Sequence, residues 1–342
     1  MRSKSHDKLT VLIPAPRLST GFAPIWLADA LGYAAEEGID IVFDLARSGS
    51  PKQAVEGVVA GLGDMTFVNI VFSMMARDRG VPLRVFYGFV RTQNRSFTVP
   101  VNSSIGRLAD LRGKTIGLHF DDPELFAFAK AVLIGVGIDP GREISFIPLP
   151  GTPFNVERMA AALRDGEVDA VWQLDILSGL MAAEGVPLRH LPAPIDRLTP
   201  SSTMCALDES LASRPQVFGS FGRAVAKATV FALANPAAAI RAIWRRYPDA
   251  GPRPGEDEER VFRGELASLK ERLEGQRIEA AAVPKWGAIT EQEIAAWQDF
   301  LLLTKAIHSR RSPSEYYSDA LVAEFNAFDP TPIIAQAQGH GV

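Results

Sequence analysis

The chain has 342 residues, which corresponds to about two domains of ordinary size. Its composition, 47% hydrophobic and 22% charged, is that of a globular protein and excludes a disordered chain, a collagen and a coiled-coil rod. A net charge of -4 argues against nucleic-acid binding, which needs a basic surface, and a single cysteine, Cys205, excludes an internal disulfide framework.

Short apolar strands alternate with helices from the beginning of the chain. One helix is expected to begin at Ser50-Pro51, because serine is a good N-cap and proline suits the first helical position. Such alternation is typical of mostly parallel sheets covered by helices. The predicted elements span 9–13, 22–37, 40–45, 51–60, 65–68, 70–79 and 83–89, and then 114–118, 123–136, 143–147, 153–164 and 170–173.

Two short signatures recur in the same order in both halves of this region. Gly-Ile-Asp stands at 38–40 and 137–139, and Gly-x-x-Asp stands at 61–64 and 166–169. Glycine supplies the left-handed residue that ends a helix, and the aspartate can accept hydrogen bonds from backbone amides. The repetition predicts two similar α/β lobes with a small-molecule cleft between them that closes by hinge motion. The predicted lobes are 1–92 with 198–342, and 93–197; the hinges fall in 88–100 and 192–202, and a helical region begins at 221.

Several stretches together resemble one known family. They are Phe22-Ala23-Pro24, Leu31-Gly32-Tyr33, Glu36 to Asp40, Val59 to Asp64, Arg79 to Leu83, Leu108 to Gly117, and Leu163 to Val171. In this order and spacing they resemble the solute-binding proteins of bacterial ABC importers, in the family that carries thiamine-pyrimidine precursors, alkanesulfonates and taurine. The resemblance implies a two-lobed, periplasmic-binding-protein-like (type II) α/β fold that delivers a small organic ligand to a membrane permease.

The same superfamily contains enzymes whose catalytic residues are absent here. The histidine of the eukaryotic thiamine-pyrimidine synthase would align with Phe72, and its cysteine cluster is replaced by Ser201 to Cys205. The catalytic cysteine of the aryl-sulfinate desulfinase would lie near Pro14. The resemblance therefore implies ligand capture, with a cytoplasmic enzyme or ligand sensor on the same fold as the alternative.

Polar and aromatic side chains near the carboxyl ends of the predicted strands are the candidate ligand-binding residues. An arginine matches carboxylates and sulfonates, and the free amides at a helix N-terminus suit an anion. Trp172 offers a flat stacking surface, although a core position is the alternative. The candidates are Arg17, Phe22, Ser48, Thr66, Asn69, Arg91, His119, Asp121, Trp172, Gln173 and Asp175.

The sequence gives no reason to expect a cofactor. The five histidines lack zinc-ligand spacing, and Cys205 has no adjacent histidine to activate it, so we expect no metal, no cofactor and no catalytic residue.

We expect a monomer whose partners are a small-molecule ligand and, if the protein is exported, an ABC permease. We see no run of about 18 apolar residues that would span a membrane. The first residues do not resemble a signal peptide, so we expect a periplasmic or lipid-anchored protein if a leader was removed, and a cytoplasmic one otherwise.

Overall fold

The structure is a computed structural model, and it describes residues 6–15, 18, 20–45, 50–118, 122–149, 156–279 and 283–340. Four of the candidate ligand-binding residues lie outside the described residues. They are Arg17, Ser48, His119 and Asp121.

The described strands form two five-stranded sheets. The first has the order β2-β1-β3-β10-β4, and the second has the order β7-β6-β8-β5-β9. In each sheet the first three strands are parallel, whereas β10 and β5 run antiparallel to both of their neighbours, so the predicted mostly parallel sheets are mixed. The strands are β1 (Asp7–Leu12), β2 (Ile39–Asp44), β3 (Met65–Asn69), β4 (Leu83–Val90), β5 (Arg95–Pro100), β6 (Lys114–Leu118), β7 (Ile144–Pro148), β8 (Ala170–Leu174), β9 (Leu188–His190) and β10 (Ser202–Leu207).

Helices follow the strands and make up most of the C-terminal region. The helix predicted over 22–37 is broken at Gly32, whose φ of 81° is left-handed and leaves the helical path. The helices are α1 (Ala23–Ala30), α2 (Tyr33–Glu36), α3 (Pro51–Val59), α4 (Ile70–Asp78), α5 (Pro123–Ile134), α6 (Val156–Arg164), α7 (Leu177–Ala183), α8 (Asp208–Ser213), α9 (Pro215–Ala234), α10 (Pro236–Arg246), α11 (Glu258–Glu274), α12 (Glu291–Leu303), α13 (Pro313–Tyr316), α14 (Val322–Phe325) and α15 (Thr331–Gly339). Short 3-10 helices span Thr20–Phe22, Leu108–Leu111, Pro194–Arg197 and Pro248–Ala250.

The chain passes between the two sheets twice. Residues 91–94 connect β4 to β5, and residues 191–201 connect β9 to β10. The segment 88–100, predicted as a hinge, therefore contains the end of one strand and all of another, so only its middle can serve as a connection. The predicted lobe boundaries at 92/93 and 197/198 fall within the two connections, and we keep this division as a proposal.

The repeated Gly-x-x-Asp signature makes the same backbone contacts in both sheets. The Asp64 carboxylate accepts a hydrogen bond from the Thr10 amide on β1 at 2.6 Å, and Asp169 accepts one from the Thr115 amide on β6 at 2.9 Å. The amide of each aspartate donates to the carbonyl of the same threonine at 2.8 Å. Each aspartate therefore ties its turn to a neighbouring strand, which fixes β3 beside β1 and β8 beside β6.

Helix α9 is long and apolar enough to cross a membrane by length and composition, although the sequence analysis found no such run. It has 20 residues, and 72% of its most apolar window is buried inside the protein. It contacts α1, α2, α10, α14 and α15. A helix that is apolar on most sides and covered on most sides is a core helix, and we interpret α9 as the centre of the C-terminal region.

Glu37, which follows α2, links that helix to α9 through two cations. Its carboxylate accepts hydrogen bonds from Arg223 Nη2 at 2.6 Å and from Lys227 Nζ at 2.7 Å. Burial favours the neutral acid, but these hydrogen bonds and charges outweigh it and hold the pKa of Glu37 below its ordinary value.

Glu37→Gln is expected to lower the free energy of unfolding by about 2 kcal/mol at pH 7. A lowered folded-state pKa stabilises above the unfolded-state pKa, so the difference from the original protein should shrink as the pH falls below about 4. Urea unfolding at pH 7 and pH 3 measures both values. Glu56→Gln, at an exposed position, is the control, and an equal loss for Glu37→Gln at both pH values would contradict the argument.

Candidate functional site

A pocket opens between the two sheets, at the carboxyl ends of the parallel strands. The space between its lining atoms, including the open mouth, is about 370 Å³. Asn69 ends β3 and Leu174 ends β8, so the two equivalent strands of the repeat both reach it. This is the place where open α/β sheets bind ligands. The described lining residues are Pro14, Ala15, Phe22, Pro51, Phe67, Val68, Asn69 and Ser202 from the side of the first sheet, and Asn94, Arg95 and Leu174 from the side of the second.

One wall of the pocket is aromatic. Phe22, a predicted site residue, lines the pocket, and its ring centroid lies 4.8 Å from that of Phe67. Trp26, one turn further along, packs edge-on behind Phe67 at 5.8 Å and is fully buried. The wall therefore offers a rigid apolar surface to a flat or apolar ligand.

A chain of polar side chains crosses the pocket between the two sheets. Asn69 Nδ2 donates to Asn94 Oδ1 at 3.0 Å, and Asn94 Nδ2 donates to Ser202 Oγ at 3.3 Å. Asn69 Oδ1 also accepts from the Val71 amide at 3.0 Å and caps α4. The predicted site residue Asn69 thus lines the pocket with its side chain held in place by two hydrogen bonds, one donated by Nδ2 and one accepted by Oδ1.

Arg95 is a pocket-lining residue that the sequence analysis missed. It lies on β5 opposite Leu174, is 4% exposed, and its guanidinium carbon is 6.0 Å from the ring centroid of Phe72. Burial lowers the pKa of Arg95 to about 9, with the negative charge of Asp122 acting against this. The sequence analysis interpreted this segment as a hinge, although the alternation of apolar Phe97 with its polar neighbours is a strand pattern that could have identified β5.

Trp172 does not form the stacking surface that the sequence analysis favoured. Its side chain is fully buried, 4.6 Å from the ring of Phe97 and edge-on to Phe128 of α5 at 5.3 Å between centroids. Trp172 stands two residues before the end of β8, where α5 covers its side chain. Leu174, the last residue of β8, lines the pocket instead. Trp172 is a core residue, as the alternative interpretation held.

The side chains of Thr66 and Arg91 are engaged elsewhere. Thr66 is fully buried, and its hydroxyl donates to the Leu12 carbonyl at 2.8 Å. Arg91 donates to the Ala288 carbonyl and to Glu293 Oε1, so it joins the first inter-sheet connection to the C-terminal region. Neither residue is among the described pocket-lining residues. Thr66 had been predicted from its place near a strand end and Arg91 from its place in the predicted hinge, and neither position fixes where a side chain points.

Gln173 and Asp175 lie beside the pocket rather than on its wall. Gln173 is fully buried and donates from Nε2 to Ser178 Oγ at 3.4 Å. Asp175 directly follows the lining residue Leu174 and accepts a hydrogen bond from Arg272 of α11. Burial raises the pKa of Asp175, with the charge of Arg272 acting against this.

Metal-ligating side chains and the single cysteine are groups of the described residues that could carry chemistry. No group of three or more histidine, cysteine, aspartate or glutamate side chains within the described ranges is arranged to hold a metal ion. Cys205 is buried with its Sγ 3.7 Å from the Thr66 carbonyl, and burial raises the pKa of its thiol far above the ordinary range. Phe72 and Pro14 are the positions that the sequence analysis aligned with catalytic residues of related enzymes. Phe72 is an apolar core residue, and Pro14 lines the pocket.

Comparison with known proteins decides the family. The family model described as NMT1/THI5 like matches residues 19–239. The chain belongs to this family. A sequence relative is the 4-amino-5-hydroxymethyl-2-methylpyrimidine phosphate synthase of Aspergillus parasiticus, 26% identical over 305 residues, which are 83% of this chain and 82% of the relative. Another is the riboflavin-binding protein RibY of Chloroflexus aurantiacus, 27% identical over 235 residues, which are 67% of this chain and 64% of the relative.

Solved structures of binding proteins and of an enzyme share the fold of this NMT1/THI5-like chain. The alkanesulfonate-binding protein SsuA from Xanthomonas axonopodis pv. citri bound to MOPS has a TM-score of 0.63 at 16% identity, covering 92% of this chain and 99% of its own. The desulfurization enzyme DSZB has a TM-score of 0.60 at 15% identity, covering 94% and 99%. These likenesses confirm the predicted periplasmic-binding-protein fold.

Proposed function

We propose that this chain is a solute-binding protein that captures a small organic ligand between its two lobes and releases it unchanged to an ABC importer. The ligand class is an aromatic heterocycle, an aromatic acid or a sulfonate. The observation that carries the proposal is the pocket between the sheets, which combines the aromatic wall of Phe22 and Phe67 with polar groups from both sides.

Contacts to both sides of the pocket explain how binding would close the cleft. A ligand that touches Phe22 on one side and Arg95 on the other favours the closed arrangement over an open one. The shift is limited by the difference in affinity between the two arrangements. Riboflavin binding by RibY and alkanesulfonate binding by SsuA, as their names state, support this function. A periplasmic or lipid-anchored monomer that meets a permease belongs to the same proposal.

An enzyme on the same fold is the second candidate function. The relative from Aspergillus parasiticus is named as a pyrimidine phosphate synthase and aligns with most of this chain. The position of the synthase histidine is held by Phe72, which is fully buried and packs edge-on to Phe128 at 6.3 Å between centroids. An apolar core residue cannot transfer a proton, so synthase chemistry would need other residues.

Thermal unfolding in the presence of pyrimidines, flavins, aromatic carboxylates, sulfonates and taurine tests the proposal. A ligand at 100 times its dissociation constant should add about 2.7 kcal/mol to the free energy of unfolding. Mass spectrometry of the hit after prolonged incubation should then recover it with its mass unchanged. A new product that accumulates with time would establish an enzyme and end the proposal.

Phe22→Leu localises the binding to this pocket. It keeps an apolar side chain but removes the aromatic face, and should weaken an aromatic hit by about 3- to 10-fold. Phe146→Leu is the matched control, because Phe146 lies on β7 against Phe126 and is not among the described lining residues. Equal affinities for Phe22→Leu and the original protein would place the ligand elsewhere.

A further inference from the structure

The C-terminal helix α11 brings a buried arginine to the edge of the pocket. The guanidinium carbon of Arg272 lies 5.2 Å from the ring centroid of the lining residue Phe22. Its Nη2 donates to Asp175, which directly follows the lining residue Leu174. Arg272 stands outside residues 19–239, so the matched family region does not include it.

Most of the hydrogen-bonding capacity of Arg272 is unused. The side chain is 0% exposed, yet Nε and Nη1 have no hydrogen-bond partner among the described residues. A guanidinium carries five N–H donors, and burying charged donors without acceptors is costly. The Oε1 atom of Gln173, on β8, is likewise buried without a partner there. Buried polar atoms of this kind usually have an acceptor or donor nearby, and here they stand beside a pocket.

A second buried arginine faces the same place from β5. Arg95 lines the pocket and is the strand-pairing partner of Leu174. It lies close enough to Arg272 and Asp175 for their charges to affect its own. The charge of Asp175 acts on both arginines. Asp122 also acts on Arg95, and the exposed Glu271 acts on Arg272. Asp122 already accepts the amide hydrogen bonds that cap α5. An oxygen acceptor in the pocket would therefore find donors on two different elements, α11 and β5.

We propose that Arg272 and Arg95 bind an anionic oxygen group of the ligand, which is therefore an organic carboxylate, sulfonate or phosphate with an apolar body that lies against Phe22. Arginine is suited to such groups, since its charged planar donors match their oxygens. The inference rests on the proposed function, because it names the ligand class of the same pocket. It also makes Arg272 a specificity-determining residue contributed by the C-terminal region.

Matched acids and amides test the ligand class in the original protein. Calorimetric titrations would compare benzoate with benzamide, and benzenesulfonate with benzenesulfonamide. Each acid should bind about 10-fold or more tightly than its neutral amide, because a hydrogen bond to a charged group is the stronger one. Amides that bind as tightly as the acids, or a failure of all four probes to bind, would overturn the inference.

Variants test the role of Arg272. Arg272→Met alone leaves Asp175 buried without its partner, so Arg272→Met is combined with Asp175→Asn to keep the protein folded. The double variant should lose about 10-fold in affinity for the acids and change little for the amides. Arg277→Met, just beyond α11 in an exposed pair with Glu274, should keep the original preference. A double variant that still prefers acids would remove Arg272 from the site.

The two proposals fail in different ways. Tight binding of the acids followed by their conversion to a product would end the solute-binding function and leave the anion site standing. Unchanged recovery of a bound neutral ligand, with no preference for acids, would end the anion site and leave the solute-binding function standing.

Discussion

Trp172→Ala is expected to lower the free energy of unfolding by about 3–5 kcal/mol, the cost of removing a large aromatic side chain from a core. The indole is fully buried between Phe97 of β5 and Phe128 of α5, so its loss opens a cavity that bridges sheet and helix. Urea unfolding measures the effect. The midpoint should fall for the whole protein if it unfolds in one step, and for the transition that unfolds the second sheet if it unfolds in two.

Trp286→Ala is the matched control for this substitution. Trp286 is partly exposed, so its removal leaves a smaller cavity and should cost clearly less than the loss of Trp172. The affinity of Trp172→Ala for a ligand should follow its folded fraction. A tenfold loss of affinity with an unchanged urea midpoint would show instead that Trp172 contacts the ligand.

Asp175→Ala is expected to destabilise the protein by about 3–5 kcal/mol, because it leaves the buried guanidinium of Arg272 without its carboxylate. Combining Asp175→Asn with Arg272→Met should recover part of this loss, since no unpaired buried charge remains. Urea unfolding of the single and double variants measures both. Glu274→Ala, which breaks the exposed pair with Arg277, should change the free energy by only about 0.5 kcal/mol. A single variant as stable as the original would show that the Asp175–Arg272 pair does not hold α11 in place.

The same ion pair bears on how the cleft opens. Helix α11 contacts the segment Thr20–Phe22 beside the first sheet and α7 beside the second. Gly179 of α7 stands so close to α11 that a Cβ atom there would lie 2.8 Å from Ser268 Oγ. The proposed hinge opening would separate α11 either from Thr20–Phe22 or from α7 and Asp175, and the second alternative would break both the close helix packing and the buried ion pair. These contacts would therefore add to the stability of the closed arrangement, beside the free energy of ligand binding.

Much of the fold was predictable because its signals are local. The alternation of apolar runs set the order of strands and helices, and β6 was predicted with its observed bounds. Proline and capping residues marked helix starts, as at Ser50, which accepts a hydrogen bond from the Gln53 amide. The recurrence of Gly-x-x-Asp predicted two related sheets, and in each of them the aspartate binds the equivalent threonine amide.

The site was less predictable because it depends on packing between distant parts of the chain. Strand ends predicted Phe22 and Asn69 as ligand-binding residues, and both line the pocket, whereas the lining residue Arg95 was missed because its segment was interpreted as a hinge. No local pattern could place Trp172 under α5, since the choice between core and pocket depends on which helix covers the strand.

The sequence by itself determined an α/β chain with an internal repeat, because periodicity, caps and turn residues act over a few positions. Its ordered motifs also resembled the family to which the chain belongs. Only the tertiary structure decided which side chains meet at the pocket. Arg272 lies 97 positions from Asp175, and it reaches that carboxylate only because α11 packs on both sides of the cleft. Burial and charge pairing across such distances depend on the assembled fold, so the residues that would select a ligand could be found only there.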